Sequence, residues 1–306
     1  MIGFVGNYYD FRERVKQKVN ELKLENITRE YGKKVALDNV NLSLNQGIYG
    51  LLGDNGAGKS TMMRIMVGVD RPTHGEITWN EENIYSLDGK YRGLVGYIPQ
   101  EFSVYPSFTA REFLEYMGAL KGLTKQELKE KIPEVLAFVN LSEVKNKKVS
   151  TFSGGMKRRI GIAQAIINDP QILIFDEPTA GLDPGERIRF SNIISDMSKD
   201  KIVLFSTHII SDIEAITTNI IILNQGEIKA NTNVNQLVET MEGKVFEIYV
   251  ANEEIKELKE KVHIIRMKQD GSGVYVRYTG EVQEGSKEVA PNLEDFYVFK
   301  GSEGSE

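Results

Sequence analysis

Short apolar runs recur along most of the chain, each too brief for a helix and bounded by turn-forming residues: Leu24–Thr28, Val40–Leu44, Ile48–Leu52, Glu76–Trp79, Leu94–Ile98, Ile172–Phe175, Ile202–Phe205 and Ile220–Leu223. Runs of this length predict strands separated by turns or helices. Ile172-Leu173-Ile174-Phe175 has no polar alternation and reads as a buried parallel strand. From Thr109 to Lys148 the strands stop. Thr109-x-x-Glu112 and Thr124-x-x-Glu127 have the spacing of capping boxes, which open helices by satisfying the first free amides. Leu128, Ile132, Val135, Leu136 and Val139 then recur at helical spacing and mark a buried stripe. The pattern predicts an α/β domain with a helical insert.

Both ends read differently. Phe4, Tyr8, Phe11, Val15, Val19 and Leu22 recur every three or four residues among Arg12, Arg14, Lys16 and Lys18, which predicts a basic amphipathic helix over 1–23. Beyond Gly226-Glu227-Ile228 the pattern predicts a helix (Asn233–Met241), a strand (Val245–Val250), a charged helix (Glu253–Lys261), two strands (Val262–Met267, Val274–Tyr278) and a last helix (Leu293–Phe299). The expected organisation is a main domain over 24–240, with its helical part at about 101–168, a small α+β domain over 241–300 and a disordered tail over 301–306.

Composition narrows the classes without choosing among them. The 306 residues are 41% hydrophobic and 27% charged, an ordinary globular balance. The chain has no cysteine, which removes disulfides, thiolate metal sites and cysteine nucleophiles together. His74, His208 and His263 are too scattered for a metal cluster. The longest apolar runs fall far below the length needed to cross a bilayer, and charges at Asp10, Arg12, Glu13 and Arg14 interrupt the N-terminus too early for a signal peptide. A cytoplasmic chain is expected, and the net charge of −6 argues against a nucleic-acid partner.

Chemistry concentrates in a few stretches. Gly53-Asp54-Asn55-Gly56-Ala57-Gly58-Lys59-Ser60, followed by Thr61, fits the phosphate-loop spacing. Its glycines let successive backbone N–H groups approach a polyphosphate, and the helix predicted from Lys59 points its positive dipole end at the same anion. Lys59 is placed to reach the β/γ-phosphates and Ser60 to ligate Mg²⁺. Downstream, the Ile172–Phe175 strand ends on Asp176-Glu177, and open α/β sheets bind ligands at such strand ends. Between the two, Ser153 precedes Gly154-Gly155 and a helix-compatible stretch, a second glycine-rich helix start suited to an anion.

Phe152-Ser153-Gly154-Gly155-Met156 ahead of a carboxylate strand resembles the signature motif of ABC ATPases, with Phe152 in place of the usual leucine. Further stretches match that family in order. Gln100 after Gly96-Tyr97-Ile98-Pro99 resembles the Q-loop glutamine, Ala180-Gly181-Leu182-Asp183 the D-loop, Ser206-Thr207-His208 the switch-histidine motif, and Tyr31 the aromatic that stacks on adenine. The resemblance covers about residues 24 to 240.

It implies a P-loop NTPase fold with an antiparallel β subdomain and a helical signature subdomain, binding ATP and Mg²⁺. Gly53 to Thr61 and Tyr31 then hold nucleotide, Ser60, Gln100 and Asp176 the metal, and Glu177, His208 and Gln100 serve the attack of water. Ser153, Gly154, Gly155 and Asp183 close over the nucleotide of a second ATPase chain. The implied partners are that chain and a transmembrane permease, which holds the protein on the inner face of the membrane; Phe102, Tyr105 and Phe108 are the docking surface the sequence suggests. Leu293-Glu294-Asp295-Phe296-Tyr297 resembles the closing stretch of exporter ATPases. Family members that serve DNA maintenance or translation instead carry long coiled coils or two cassettes, and neither pattern occurs here. An Asn-Lys-x-Asp guanine-reading motif is also missing from the sequence.

Overall fold

The computed structural model describes residues 20–198 and 200–303. The helix expected over 1–23 lies outside them as far as residue 19. Its last apolar position, Leu22, is not helical: it opens strand β1 (Leu22–Tyr31), paired with Leu44 on one side and Trp79 on the other and fully buried. The chain forms two compact units, one running to Ile216 and including Ile221–Asn231, the other comprising Thr217–Ile220 and the residues from Thr232 onward.

The first unit carries an antiparallel sheet of β1, β2 (Lys34–Leu44), β4 (His74–Trp79) and β5 (Glu82–Asn83), in the order β2-β1-β4-β5. A second sheet contains β3 (Gly47–Leu52), β6 (Val95–Ile98), β7 (Ile172–Phe175), β8 (Ile202–Thr207), β9 (Asn219–Asn224) and β10 (Glu227–Asn233), ordered β10-β9-β3-β8-β7-β6. Strands β3, β8, β7 and β6 run parallel to one another. Parallel strands all deliver their C-terminal ends to one edge, which gathers residues far apart in sequence. Helix α1 (Lys59–Met66) contributes Met62, Met63, Ile65 and Met66 to a core shared with both sheets, each side chain worth about 1.5–3 kcal/mol of burial.

Helices α2 (Ile84–Leu87) and α3 (Gly89–Leu94) lead into β6. The helical insert follows as α4 (Ala110–Leu120) and α5 (Lys125–Phe138). Both predicted capping boxes are formed, with Thr109 and Glu112, and Thr124 and Glu127, bonding each other's backbone amides. The stripe Leu128, Ile132, Val135, Leu136 and Val139 is buried as its spacing requires. Helix α6 (Gly154–Ile166) returns toward β7, and α7 (Pro184–Met197) and α8 (Ile210–Ile216) flank β8 in sequence.

In the second unit, α9 (Val234–Glu239) packs with α11 (Leu293–Glu303). This contact groups α9 with the C-terminal unit rather than with the main domain, and the last helix runs into the stretch expected to be disordered. Strands β11 (Val245–Ala251), β12 (Val262–Asp270), β13 (Gly273–Gly280) and β14 (Lys287–Glu288) form an antiparallel sheet ordered β12-β13-β11-β14. Helix α10 (Ile255–Lys261) adds Leu258 to its core of Phe246, Val250, Val262, Val274, Val276 and Tyr278. Arg277 of β13 grips the fully buried Asp295 of α11 through two bonds of 2.7 and 2.6 Å, a bidentate pair that fastens the last helix to the sheet.

Candidate active site

Strand β3 ends at Leu52 and the chain turns through Gly53 to Gly58 into α1. Two of the glycines are dictated by neighbouring backbone. A Cβ on Gly53 would stand 2.3 Å from the carbonyl of Leu223, and one on Gly58, whose φ is +108°, would stand 2.6 Å from the carbonyl of Ala36. Lys59 is buried, and its Nζ donates to the carbonyls of Gly53 at 2.6 Å and Asp54 at 3.1 Å, so the loop is closed on its own lysine. The first amides of a helix lack an intrahelical partner one turn back, which makes the start of α1 a donor-rich end suited to an anion.

Beside this loop lies a cleft of about 390 Å³ lined by Tyr31, Lys34, Ala36, Asn55, Gly56, Gly58, Lys59, Ser60, Thr61, Gln100 and Glu177. Of the expected phosphate-loop residues, Gly53 and Ala57 are buried and shape the turn without lining the cleft, while Asp54 accepts the amide of Ala57 through its carbonyl at 3.1 Å.

Glu177 emerges at the end of β7 with φ +45°, a left-handed conformation that costs a non-glycine residue about 1–3 kcal/mol and persists where surroundings fix it. Its amide donates to Ser206 Oγ at 2.8 Å, and Ser206 Oγ donates to Asp176 Oδ1 at 2.7 Å. The Arg158 guanidinium binds the carbonyls of Pro178 at 2.6 Å, Asp176 at 3.3 Å and Pro99 at 3.4 Å, and that of Glu177 as well. Burial lowers its pKa to about 10, against the pull of Asp176 and Glu177, which leaves it charged at neutral pH.

So clamped, the Glu177 carboxylate meets three side chains from three other strand ends. Gln100 Nε2, after β6, donates to Oε2 at 3.3 Å; His208 Nδ1, after β8, lies 3.4 Å from Oε1; Lys59 Nζ, after β3, lies 3.9 Å from the same oxygen. Parallel pairing in the order β3-β8-β7-β6 accounts for the convergence.

Tyr31 stands at the cleft rim, 43% exposed. Its hydroxyl donates to Asp70 Oδ2 at 2.9 Å, and the Arg29 guanidinium sits 4.5 Å from the ring centroid. Ser153, Gly154, Gly155 and Asp183 do not line the cleft. Ser153 caps α6, accepting from the Met156 amide at 3.2 Å, and Asp183 caps α7, accepting from the Glu186 amide at 2.9 Å.

The two signature glycines differ. A Cβ on Gly154 would meet nothing within 4 Å, whereas one on Gly155 would lie 2.8 Å from the Glu186 side chain. Of the aromatics singled out from the sequence, Phe102 turns inward onto Gly161 and Phe113, while Tyr105 and Phe108 cluster with Tyr116 at 5.3 and 5.7 Å, Tyr105 and Tyr116 being exposed.

Sequence reasoning missed Arg158, Ser206 as a brace rather than a motif letter, the Arg29 and Asp70 supports of Tyr31, and Tyr116. A basic residue one helical turn past the signature was the available signal for Arg158; the others are ordinary polar or aromatic positions until the fold brings them together.

A glycine loop closed on its own lysine at the mouth of a parallel sheet, facing a clamped carboxylate two strands over, defines a P-loop nucleotide hydrolase. Comparison with known proteins agrees, the ABC transporter family matching residues 37–180. The chain is 37% identical over 244 residues to "Uncharacterized ABC transporter ATP-binding protein YxlF" of Bacillus subtilis, covering 79% of this chain and 81% of that protein. It is 32% identical over 290 residues to Nod factor export ATP-binding protein I of Bradyrhizobium diazoefficiens, covering 90% and 94%. The dimeric structure of MJ0796, a bacterial ABC transporter cassette, superposes with TM-score 0.63 at 30% identity, covering 69% of this chain and 98% of that one. The chain belongs to the ATP-binding proteins of ABC transporters and is an ATPase. Among the described residues, no helix is long and apolar enough to cross a membrane.

Proposed function

We propose that the chain powers export through a separate transmembrane permease by closing and opening, with a second ATPase chain, around two ATP molecules. The convergence of Lys59, Gln100 and His208 on Glu177 beside the phosphate loop carries this reading. Lys59 and the α1 amides hold the phosphates, Tyr31 stacks on adenine, and His208 swings from Glu177 to the γ-phosphate.

Ser60, Gln100 and Asp176 would hold Mg²⁺. The first two line the cleft and Asp176 is oriented by Ser206, a sparse donor set that suits an ion keeping water and phosphate ligands. When bound, the ion neutralises phosphate charge. Water attacks the γ-phosphorus in line as the bond to the bridging oxygen breaks, Glu177 takes the water's proton, and ADP and phosphate leave.

Ser153, Gly154, Gly155 and Asp183, which do not line their own cleft, close that of the second chain. The dimeric MJ0796 cassette, including its post-hydrolysis state with ADP and Pi, supports the paired arrangement. The names of the Nod factor export relatives and of linearmycin resistance ATP-binding protein LnrL support export. Tyr105, Phe108 and Tyr116 form the surface that docks the permease and thereby holds the chain at the inner face of the membrane.

Two experiments test the site and its sharing. Glu177→Gln keeps the shape and removes the base, so turnover falls by about 10²-fold or more while ATP binding persists and an ATP-dependent dimer accumulates on gel filtration. Near-normal turnover removes Glu177 from the role. Ser153→Arg and Lys59→Ala chains, each inactive alone, regain activity when mixed, because one of the two sites in a mixed dimer carries neither lesion. No recovery in verified heterodimers sinks the shared-site reading.

A further inference from the structure

One buried carboxylate outside the cleft joins the two loops on which the proposed cycle turns. Asp212 lies in the first turn of α8 and is 6% exposed. Thr179 Oγ1, two residues past Glu177, donates to its Oδ2 at 2.5 Å, and Thr207 Oγ1, the residue before His208, donates to the same oxygen at 3.4 Å. Both hydroxyls are buried. Thr207 Oγ1 also accepts the Ile209 amide at 2.9 Å, so both neighbours of His208 are tied to this point. On the other side Arg187 approaches Asp212 Oδ1 at 3.7 Å while its Nε donates to the Leu182 carbonyl at 3.3 Å, in the stretch that ends at Asp183.

A buried anion with these partners fixes loop positions that water would otherwise compete for, and truncating it leaves two buried hydroxyl protons without their acceptor. We propose that Asp212 is a positioning residue that locks the His208 loop to the segment from Thr179 to Asp183, so that contact of His208 with nucleotide in its own cleft and contact of Asp183 with a second chain are made or lost together. The inference rests on the paired-chain reading above and adds the link between its two halves. Asp212 itself lines no part of the cleft.

Turnover against ATP and chain concentration, with binding of a non-hydrolysable ATP analogue, is the measure for Asp212→Ala, Thr179→Val, Asp212→Asn and the Asp212→Ala/Thr179→Val double variant. Analogue binding stays within about twofold while kcat falls by about tenfold or more in both alanine and valine variants, a split that general loss of packing does not produce. The double variant is no slower than the slower single, since both lesions break one link. The Hill coefficient for ATP falls toward one, and Asp212→Asn, which keeps an acceptor for Thr179, recovers part of the rate. Should Asp212→Ala not fold, Thr179→Val and Asp212→Asn carry the test. Lesions that multiply, or wild-type kcat in Thr179→Val, overturn the inference alone. Wild-type turnover per chain that does not depend on chain concentration overturns the paired-chain reading and this inference with it.

Discussion

Helices α1 and α6 both begin behind a glycine-rich turn, and the two starts are built in opposite ways. At α1 the turn is filled by its own chain: backbone carbonyls press on Gly53 and Gly58, and buried Lys59 bonds back to the loop. At α6 the turn is bare. Ser153 caps the helix from an exposed position, Gly154 borders open space, and only Gly155 is covered, by Glu186. A site that must grip phosphate by itself is preorganised, and one proposed to meet another chain leaves its surface clear.

The largest effect follows from that contrast. Gly53→Ala forces a methyl to 2.3 Å from a backbone oxygen, which a flexible side chain cannot relieve. A loss of about 3 kcal/mol or more of stability, and of ATP binding, is expected on thermal melts and nucleotide titration. Gly154→Ala adds its methyl to open space, so melting and ATP binding stay near those of the wild type while turnover falls. Gly155→Ala sits between them: Glu186 must move, its pairings with Arg159 at 3.3 Å and Arg189 at 2.5 Å are disturbed, and a cost of about 1–3 kcal/mol is expected. Equal melting temperatures for all three variants would erase the distinction.

A smaller effect sharpens the cleft side. Tyr31→Ala should weaken ATP binding by about 1–3 kcal/mol, the usual worth of a base-stacking aromatic. Tyr31→Phe keeps the ring and frees Asp70, which retains its contacts with Arg64 at 3.2 Å, so a change of less than about 1 kcal/mol is expected. If both substitutions weaken binding equally, the hydroxyl, not the ring, is what matters.

The smallest concerns the far end of α6. There Lys121 Nζ donates to the Ala165 carbonyl at 3.0 Å and to Asn168 Oδ1 at 2.8 Å, and burial lowers its pKa from 10.5 to about 8. Between those values the unfolded chain binds more protons than the folded one, so this group makes stability rise with pH through that window and adds no slope below it. Urea midpoints compared at about pH 7.5 and about pH 9.5 should show a rise in wild type that Lys121→Met lacks. An identical pH dependence in both proteins removes Lys121 as its source.

Much of this was legible from order along the chain. The capping boxes at Thr109 and Thr124 and the stripe from Leu128 to Val139 formed as spacing predicted, because caps and helical faces are local. The strand β10 was not foreseen: Lys229, Asn231, Thr232 and Asn233 give it little apolar signal, and it lies at the edge of the sheet. Leu22 was assigned to the wrong element because it also completes a helical repeat, and pairing with Leu44 and Trp79 decided otherwise. The boundary near residue 232 was likewise set by the packing of α9 with α11.

For the site, the sequence by itself determined which residues are present and in what order, since a phosphate loop, a strand-end carboxylate pair and a glycine-rich cap are each written in consecutive positions. Only the tertiary structure decided which of them face one another. Gln100, His208 and Lys59 reach Glu177 because four parallel strands end at one edge, and Asp212 reaches Thr179 and Thr207 because α8 buries it between two loops. Spacing along a chain fixes local geometry within a few residues; convergence across the chain depends on strand order, which the long-range packing of the core selects.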